Sequence, residues 1–166
     1  MRLALVCVGR LKAGPERELF DRYFKRLSEG ARAAGVSGVD LHEIRESRAR
    51  RPEERRAEEA AAILALAPPG AWLVALDERG ASLTSEALAQ DIARARDAAR
   101  PGYAIVIGGP NGLDASVREK ADRIVSFGAT TWPHQLVRIM ACEQLYRVTT
   151  ILCNHPYHRA SCRDNG

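Results

Sequence analysis

The sequence predicts an α/β fold, a single domain built on a parallel sheet flanked by helices. Three observations carry this reading. Five strand signals alternate with five helix signals along the whole chain, the strand runs are apolar enough for a sheet covered on both faces, and glycine or proline punctuates many of the junctions. Residues 3–8 form a short apolar run that ends at Gly9, and 15–34 read as a helix with Leu19, Phe20, Tyr23, Phe24 and Leu27 on one stripe, stopped by Gly35. A strand at 39–44 precedes an alanine-rich helix at 52–66. That helix opens on Pro52 with Glu53 and Glu54 in its first turn and is closed by Pro68-Pro69-Gly70. Strand 72–76, helix 85–99 and strand 103–107 follow, then a short helix at 113–121 and a short strand at 123–127. A long helix from 133 to 152 completes the pattern. Ligands of such sheets bind beyond the carboxyl ends of the strands.

With 166 residues, 46% apolar and 28% charged, the chain has the size and balance of one soluble domain. Its longest apolar runs, such as 60–67, are far too short to span a bilayer. The apolar start 3–8 has no small-residue cleavage site and leads into a charged helix, so no signal peptide is indicated and a cytoplasmic protein is expected. Cys7, Cys142, Cys153 and Cys162 form no spaced disulfide framework and are read as reduced thiols. The net charge of +4 is arranged as basic ends around an acidic middle, which favours a polyanionic partner only weakly. Its densest basic stretch, 45–56 (RESRARRPEERR), reads either as a solvated loop and helix start or as an RNA contact.

Three segments carry chemistry. Ile107-Gly108-Gly109-Pro110-Asn111-Gly112-Leu113 leaves a strand with glycines that permit positive φ and close approach to a ligand, although a simple turn would use the same residues. It is not GxGxxG. The glycine spacing at 9–14 is that of a P-loop, but Pro15-Glu16 follow in place of Lys-Ser/Thr, so no nucleotide triphosphate site is indicated. The loop 127–133 enters the last helix through Pro133, and His134 and Arg138 share a face of that helix, as do Glu143 and Arg147. The ending Cys153-Asn154-His155-Pro156-Tyr157-His158-Arg159-Ala160-Ser161-Cys162 matches no standard zinc spacing, and no metal is expected. It reads instead as an aromatic, cationic tail lying over a site, suited to a stacked or flipped base.

Taken in order, Ile107-Gly108-Gly109-Pro110-x-Gly112-Leu113, Pro133-His134-x-Leu136-Val137-Arg138, Glu143-x-Leu145-Tyr146-Arg147 and Asn154-His155-Pro156-Tyr157-His158-Arg159 resemble the ribosomal RNA large subunit methyltransferase H family of the SPOUT superfamily. Leu3-x-Leu5-Val6-x-Val8-Gly9 fits it too, so the resemblance spans nearly the whole chain. It implies a single domain over 1–159 with a C-terminal deep trefoil knot, a rare exception to unknotted chains. A disordered tail is expected at 160–166. The resemblance also implies a homodimer, S-adenosylmethionine (SAM) as methyl donor, and methylation of N3 of a pseudouridine in helix 69 of 23S rRNA, with no membrane or DNA partner.

By the same resemblance, cofactor contacts fall on Leu76, Gly109 and the loop Gly128, Ala129, Thr130, Thr131, Trp132 and Pro133. Gly128 and Thr130 stand at positions where the family varies in residue type, which backbone contacts tolerate. Tyr157, His158 and Arg159 are expected to hold the base, with His158 as proton acceptor and His155 or solvent as the alternatives. His134 and Arg138 are expected to orient the tail or contact phosphate, or else to serve a structural ion pair. A non-catalytic RNA-binding protein that keeps the fold is the rival reading.

Overall fold

The structure is a computed structural model that describes residues 1–157; His158, Arg159 and the 160–166 segment lie outside the described residues. Five strands, β1 (Arg2–Val8), β2 (Val39–Ile44), β3 (Trp72–Ser82), β4 (Gly102–Ile107) and β5 (Arg123–Ser126), form one sheet in the order β2-β1-β4-β3-β5. Every neighbouring pair is parallel. The helices are α1 (Pro15–Gly30), α2 (Pro52–Leu66), α3 (Ser85–Asp97), α4 (Ala115–Lys120) and α5 (His134–Leu152).

Alternation along the strands divides the core into two layers. Leu3, Leu5, Cys7, Tyr103, Ile105 and Ile107 face α1, α3 and α5, whereas Ala4, Val6, Val8, Ala104 and Val106 face α2 and α4. Small residues on the second face let α2 lie close through Ala60 and Ile63. Leu3, Leu5, Leu27, Ile92 and Leu145 are wholly buried, and truncating one such side chain typically costs about 2–5 kcal/mol.

Local signals set the boundaries. The expected 15–34 helix is two pieces, because α1 tightens into a 3-10 turn at Ala31–Ala34 before Gly35, at φ 76, accepts the left-handed cap. Thr84 and Asp114 cap α3 and α4 by accepting the N–H of Ala87 and Ser116 at 3.1 and 2.9 Å. Pro133 is the N-cap of α5 and not its first turn.

The largest departure from the sequence reading is β3, which was expected to end at Leu76 and runs to Ser82. Its pairing with β5 slips between Leu76 and Ala81, both of which oppose Val125, so Asp77 to Gly80 form a bulge over the strand end. A Cβ on Gly80 would lie 2.5 Å from the backbone N and C of Val125, so only glycine permits this crossing.

Because all strands are parallel, their carboxyl ends share one edge. That carboxyl edge collects the loops 9–14, 45–51, 108–114 and 127–133 together with the β3 bulge. The opposite, amino edge receives the C-terminal ends of the helices, including that of α5.

Candidate functional site

A cavity of about 550 Å³ opens at the carboxyl edge, within the range of small-molecule sites. Three walls come from sequence-distant segments: Leu76 to Arg79 of the β3 bulge, the glycine turn Ile107 to Leu113, and the loop after β5. Leu76, Gly109, Gly128, Thr130, Thr131, Trp132 and His134 all line it, whereas Ala129 and Pro133 belong to the loop without facing the cavity. The sequence reading missed Asp77, Glu78, Arg79, Arg118 and Arg56, which also line it. The signal was there in Asp77-Glu78-Arg79-Gly80, a charged triplet ending in glycine directly after a buried strand.

Side-chain bonds hold these walls in place. Arg118 of α4 donates to Asp77 Oδ2 at 3.3 Å and also to the carbonyl of Leu113, which ties the bulge to the glycine turn. Asp77 Oδ1 accepts the N–H of Arg79 at 3.0 Å. In the third wall Ser126 Oγ donates to the carbonyl of Gly128 at 2.9 Å and accepts its N–H at 3.2 Å, folding the loop back on its strand.

The glycines play different parts. Gly112 (φ 76) and Gly128 (φ 109) need positive φ and have open space where a Cβ would stand, so they form a cradle free of side chains. Gly109 works from beneath. A Cβ there would lie 2.9 Å from Val8 Cγ1 and 3.5 Å from Glu59 Oε2, so its glycine lets the turn pack on β1 and α2. The structure thus adds a packing reason for this glycine, whose backbone also lines the cavity.

Of the two residues read as sharing a face of α5, His134 reaches the cavity and Arg138 does not. Arg138 is 1% exposed; its guanidinium donates to Glu43 Oε1 at 2.7 Å and to the carbonyls of Val8 and Gly9 at 3.2 and 2.8 Å. Phosphate contact by this side chain is excluded in this arrangement, and the structural ion pair is what forms. It fastens the start of α5 to the end of β1 and to β2.

The tail begins at the other end of α5. The N–H of His155 donates to the carbonyl of Thr150 at 2.8 Å, and its Nδ1 accepts the N–H of Tyr157 at 3.2 Å, so the chain turns back along the helix. Tyr157 packs tilted against Tyr146 with centroids 4.7 Å apart, carries Arg147 at 5.0 Å over its ring, and donates its hydroxyl to Glu143 Oε1 at 3.1 Å. Arg147 closes the group by donating to the same carboxylate oxygen. Partial burial, with hydrogen bonding to Tyr23 and the charge of Glu143, pushes the Tyr157 phenol above its ordinary pKa, so it stays a protonated donor at neutral pH. Tyr146 lies about 14 Å along α5 from Val137, a cavity residue, and about half a turn around it. Within one chain, Tyr157 and the cavity therefore sit apart.

Cys7 and Cys142 are structural thiols. Burial pushes both up to about 12, so neither offers a thiolate at neutral pH. Cys7, Cys142 and Cys153 are unpaired. No described helix is long and apolar enough to cross a membrane.

Comparison with known proteins places these features. The family described as "Predicted SPOUT methyltransferase" matches residues 1–158. The ribosomal RNA large subunit methyltransferase H of Methylobacterium radiotolerans is 60% identical over 160 residues, 96% of this chain and 98% of that relative. The enzyme of the same name from Rhodopseudomonas palustris strain HaA2 is 56% identical over 96% of this chain and the whole of its own length. Among solved structures, a probable methyltransferase from Bordetella pertussis Tohama I superposes with a TM-score of 0.50 at 14% identity, over 89% of this chain and 96% of that one, a likeness of fold.

Proposed function

The chain belongs to the SPOUT methyltransferase family, among its ribosomal RNA large subunit methyltransferase H members, and on that premise we propose that it transfers a methyl group from SAM to N3 of a pseudouridine in helix 69 of 23S rRNA. The observation that carries the reading is the carboxyl-edge cavity, whose walls suit the donor's parts. Leu76, Ile107 and Val137 offer an apolar face for adenine, and the backbone of 127–132 offers hydrogen-bonding groups. Asp77 and Glu78 supply negative charge near a cationic sulfonium, and Arg56 and Arg79 are available to a carboxylate. The open space at Gly112 and Gly128 leaves room for a ligand to meet backbone directly.

When bound, SAM supplies a methyl group already activated by its positive sulfur. The chain's own tasks are then to align the target nitrogen and to accept its imide proton. Tyr157, held as a donor by Glu143, Tyr146 and Arg147, serves as a stacking and hydrogen-bonding platform for the base and not as the proton acceptor. That acceptor role we assign to His158, with His155 and solvent as lesser candidates, and Arg159 is assigned to the base or its phosphate.

The separation of tail and cavity along α5 supports a homodimer in which one copy's tail closes the other's cavity. Leu19, Trp132 and Leu136 are exposed at 37%, 43% and 39% near the starts of α1 and α5, with Trp132 lining the cavity, and a second copy would cover them. In the same reading the C-terminal half threads a trefoil knot, to which the close crossing of Gly80 over Val125 lends support, and the enzyme works in the cytoplasm, where ribosomes are.

Calorimetric titration with SAM, followed by methyl transfer to ribosomes that lack the modification, tests the reading. Saturable binding that Gly128→Val abolishes, with one methyl per large subunit, is expected. A folded chain that neither binds SAM nor methylates ribosomes would contradict it.

A further inference from the structure

Positive charge is paired at three places on the amino edge, where Arg32 is exposed without a partner among the described residues, and is left unpaired more often at the carboxyl edge. At the amino edge Arg2 meets Asp40 at 2.6 Å, Arg100 meets Asp122 at 3.6 Å and Arg123 meets Asp91 at 2.6 Å. At the carboxyl edge Arg10 and Lys12 after β1, and Arg45, Arg48 and Arg50 after β2, are exposed. None of these five side chains has an ion-pair or hydrogen-bond partner among the described residues.

This absence of partners goes with a built loop. The acid groups of α2 hold the backbone of 47–50 from below: Glu59 Oε1 accepts the N–H of Ser47 at 2.9 Å, and Ser47 Oγ donates to Glu58 and accepts the N–H of Ala49 at 3.1 Å. Arg55 Nε donates to the carbonyl of Ala49 at 2.6 Å. Glu58 and Glu59 are thereby engaged with serine and backbone, and Glu46 is turned onto Gly9, where a Cβ would meet its Oε1 at 2.8 Å. A fixed loop that presents uncompensated arginines loses less entropy on meeting an anion than a mobile one. The surface is also continuous with the cavity, since Arg56 lines the cavity and Val8 underlies Gly109.

We propose that the loops after β1 and β2 form the phosphate-binding surface that docks the RNA substrate at the cavity, with Arg10, Lys12, Arg45, Arg48 and Arg50 as its contacts. The proposal rests on the RNA methyltransferase reading and adds the surface that holds the polyanion. Phosphate contacts position without reading sequence, so they act on substrate affinity and on its salt dependence.

The test is steady-state methylation of unmodified ribosomes by Arg48→Ala/Arg50→Ala and, separately, Arg10→Ala/Lys12→Ala, with SAM affinity measured alongside. Each pair should raise KM for ribosomes about tenfold and flatten its salt dependence by roughly two phosphate contacts, leaving kcat and SAM affinity unchanged. Arg48→Lys/Arg50→Lys should restore most of the affinity, and Arg32→Ala at the opposite edge should change nothing. Unchanged KM and salt slope in both alanine pairs would overturn the surface, as would a loss of SAM affinity equal to the loss of activity. If the unaltered chain methylates no ribosome, the functional reading fails first. Direct ribosome binding by the same variants then judges the surface alone, with equal Kd values counting against it.

Discussion

The two edges of the sheet are made of similar residues put to different uses. At the amino edge, polar groups close on one another: Arg2 on Asp40, Arg100 on Asp122, and Asp122 on the N–H of Leu73 at 2.8 Å. At the carboxyl edge the internal bonds, Arg118 on Asp77 and Arg138 on Glu43, fix backbone around an open cavity, and Arg10, Arg45, Arg48 and Arg50 are exposed without partners among the described residues. The difference teaches that in a parallel sheet the edge to inspect for function is the one where polar side chains hold loops apart instead of sealing them.

Breaking a bond inside the carboxyl edge should have the largest effect. Arg138→Ala leaves Glu43, whose side chain is 17% exposed, without its main partner and frees two carbonyls, so denaturant unfolding should show a loss of about 3–5 kcal/mol. Recovery by Arg138→Lys should be poor, because one ammonium cannot reproduce the fork. Overpacking the glycine turn comes next: Gly109→Val should cost about 1–3 kcal/mol through Val8 and Glu59, and calorimetry should show SAM binding lost with it.

Removing the cap of α4 should matter less. Asp114 is held below the usual carboxylate range, first by the N–H of Ser116 and then by its hydroxyl. A depressed folded-state pKa means its stabilisation is present above the ordinary carboxylate value and is lost as pH falls through the depressed one. Asp114→Ala should therefore lower stability by about 1 kcal/mol at neutral pH, with a difference that shrinks in acid unfolding curves. The smallest effect belongs to the amino edge, where Arg2→Ala removes a solvent-exposed pair and thermal melts should barely move.

Much of the fold could be read from sequence because most strands carry a continuous apolar run, β2 alternates apolar and polar residues, and each helix has a start or stop residue. The β3 extension could not, since Asp77-Glu78-Arg79 looks like a solvated turn until Gly80 is seen against Val125. Most cofactor-loop positions and His134 proved to line the cavity, because a strand exit and a helix entry leave local marks. Arg138 was ambiguous for a physical reason. Helical spacing puts it on the face of His134, but α5 lies between α1 and α3, so that face turns inward one helical turn further on. The division between tail and cavity was also hidden, because sequence order gives no distance between the two ends of a 19-residue helix.

That division is the account's central claim, and mixing two inactive enzymes tests it directly. Gly128→Val spoils the cavity and Tyr157→Ala spoils the tail, and in the proposed homodimer each is expected to be inactive on its own. Coexpressed or refolded together, they should recover about a quarter of the activity per site, since half the random dimers carry one intact composite site. Inactivity of the mixture, with heterodimers shown to have formed, would mean that each tail serves its own chain's cavity.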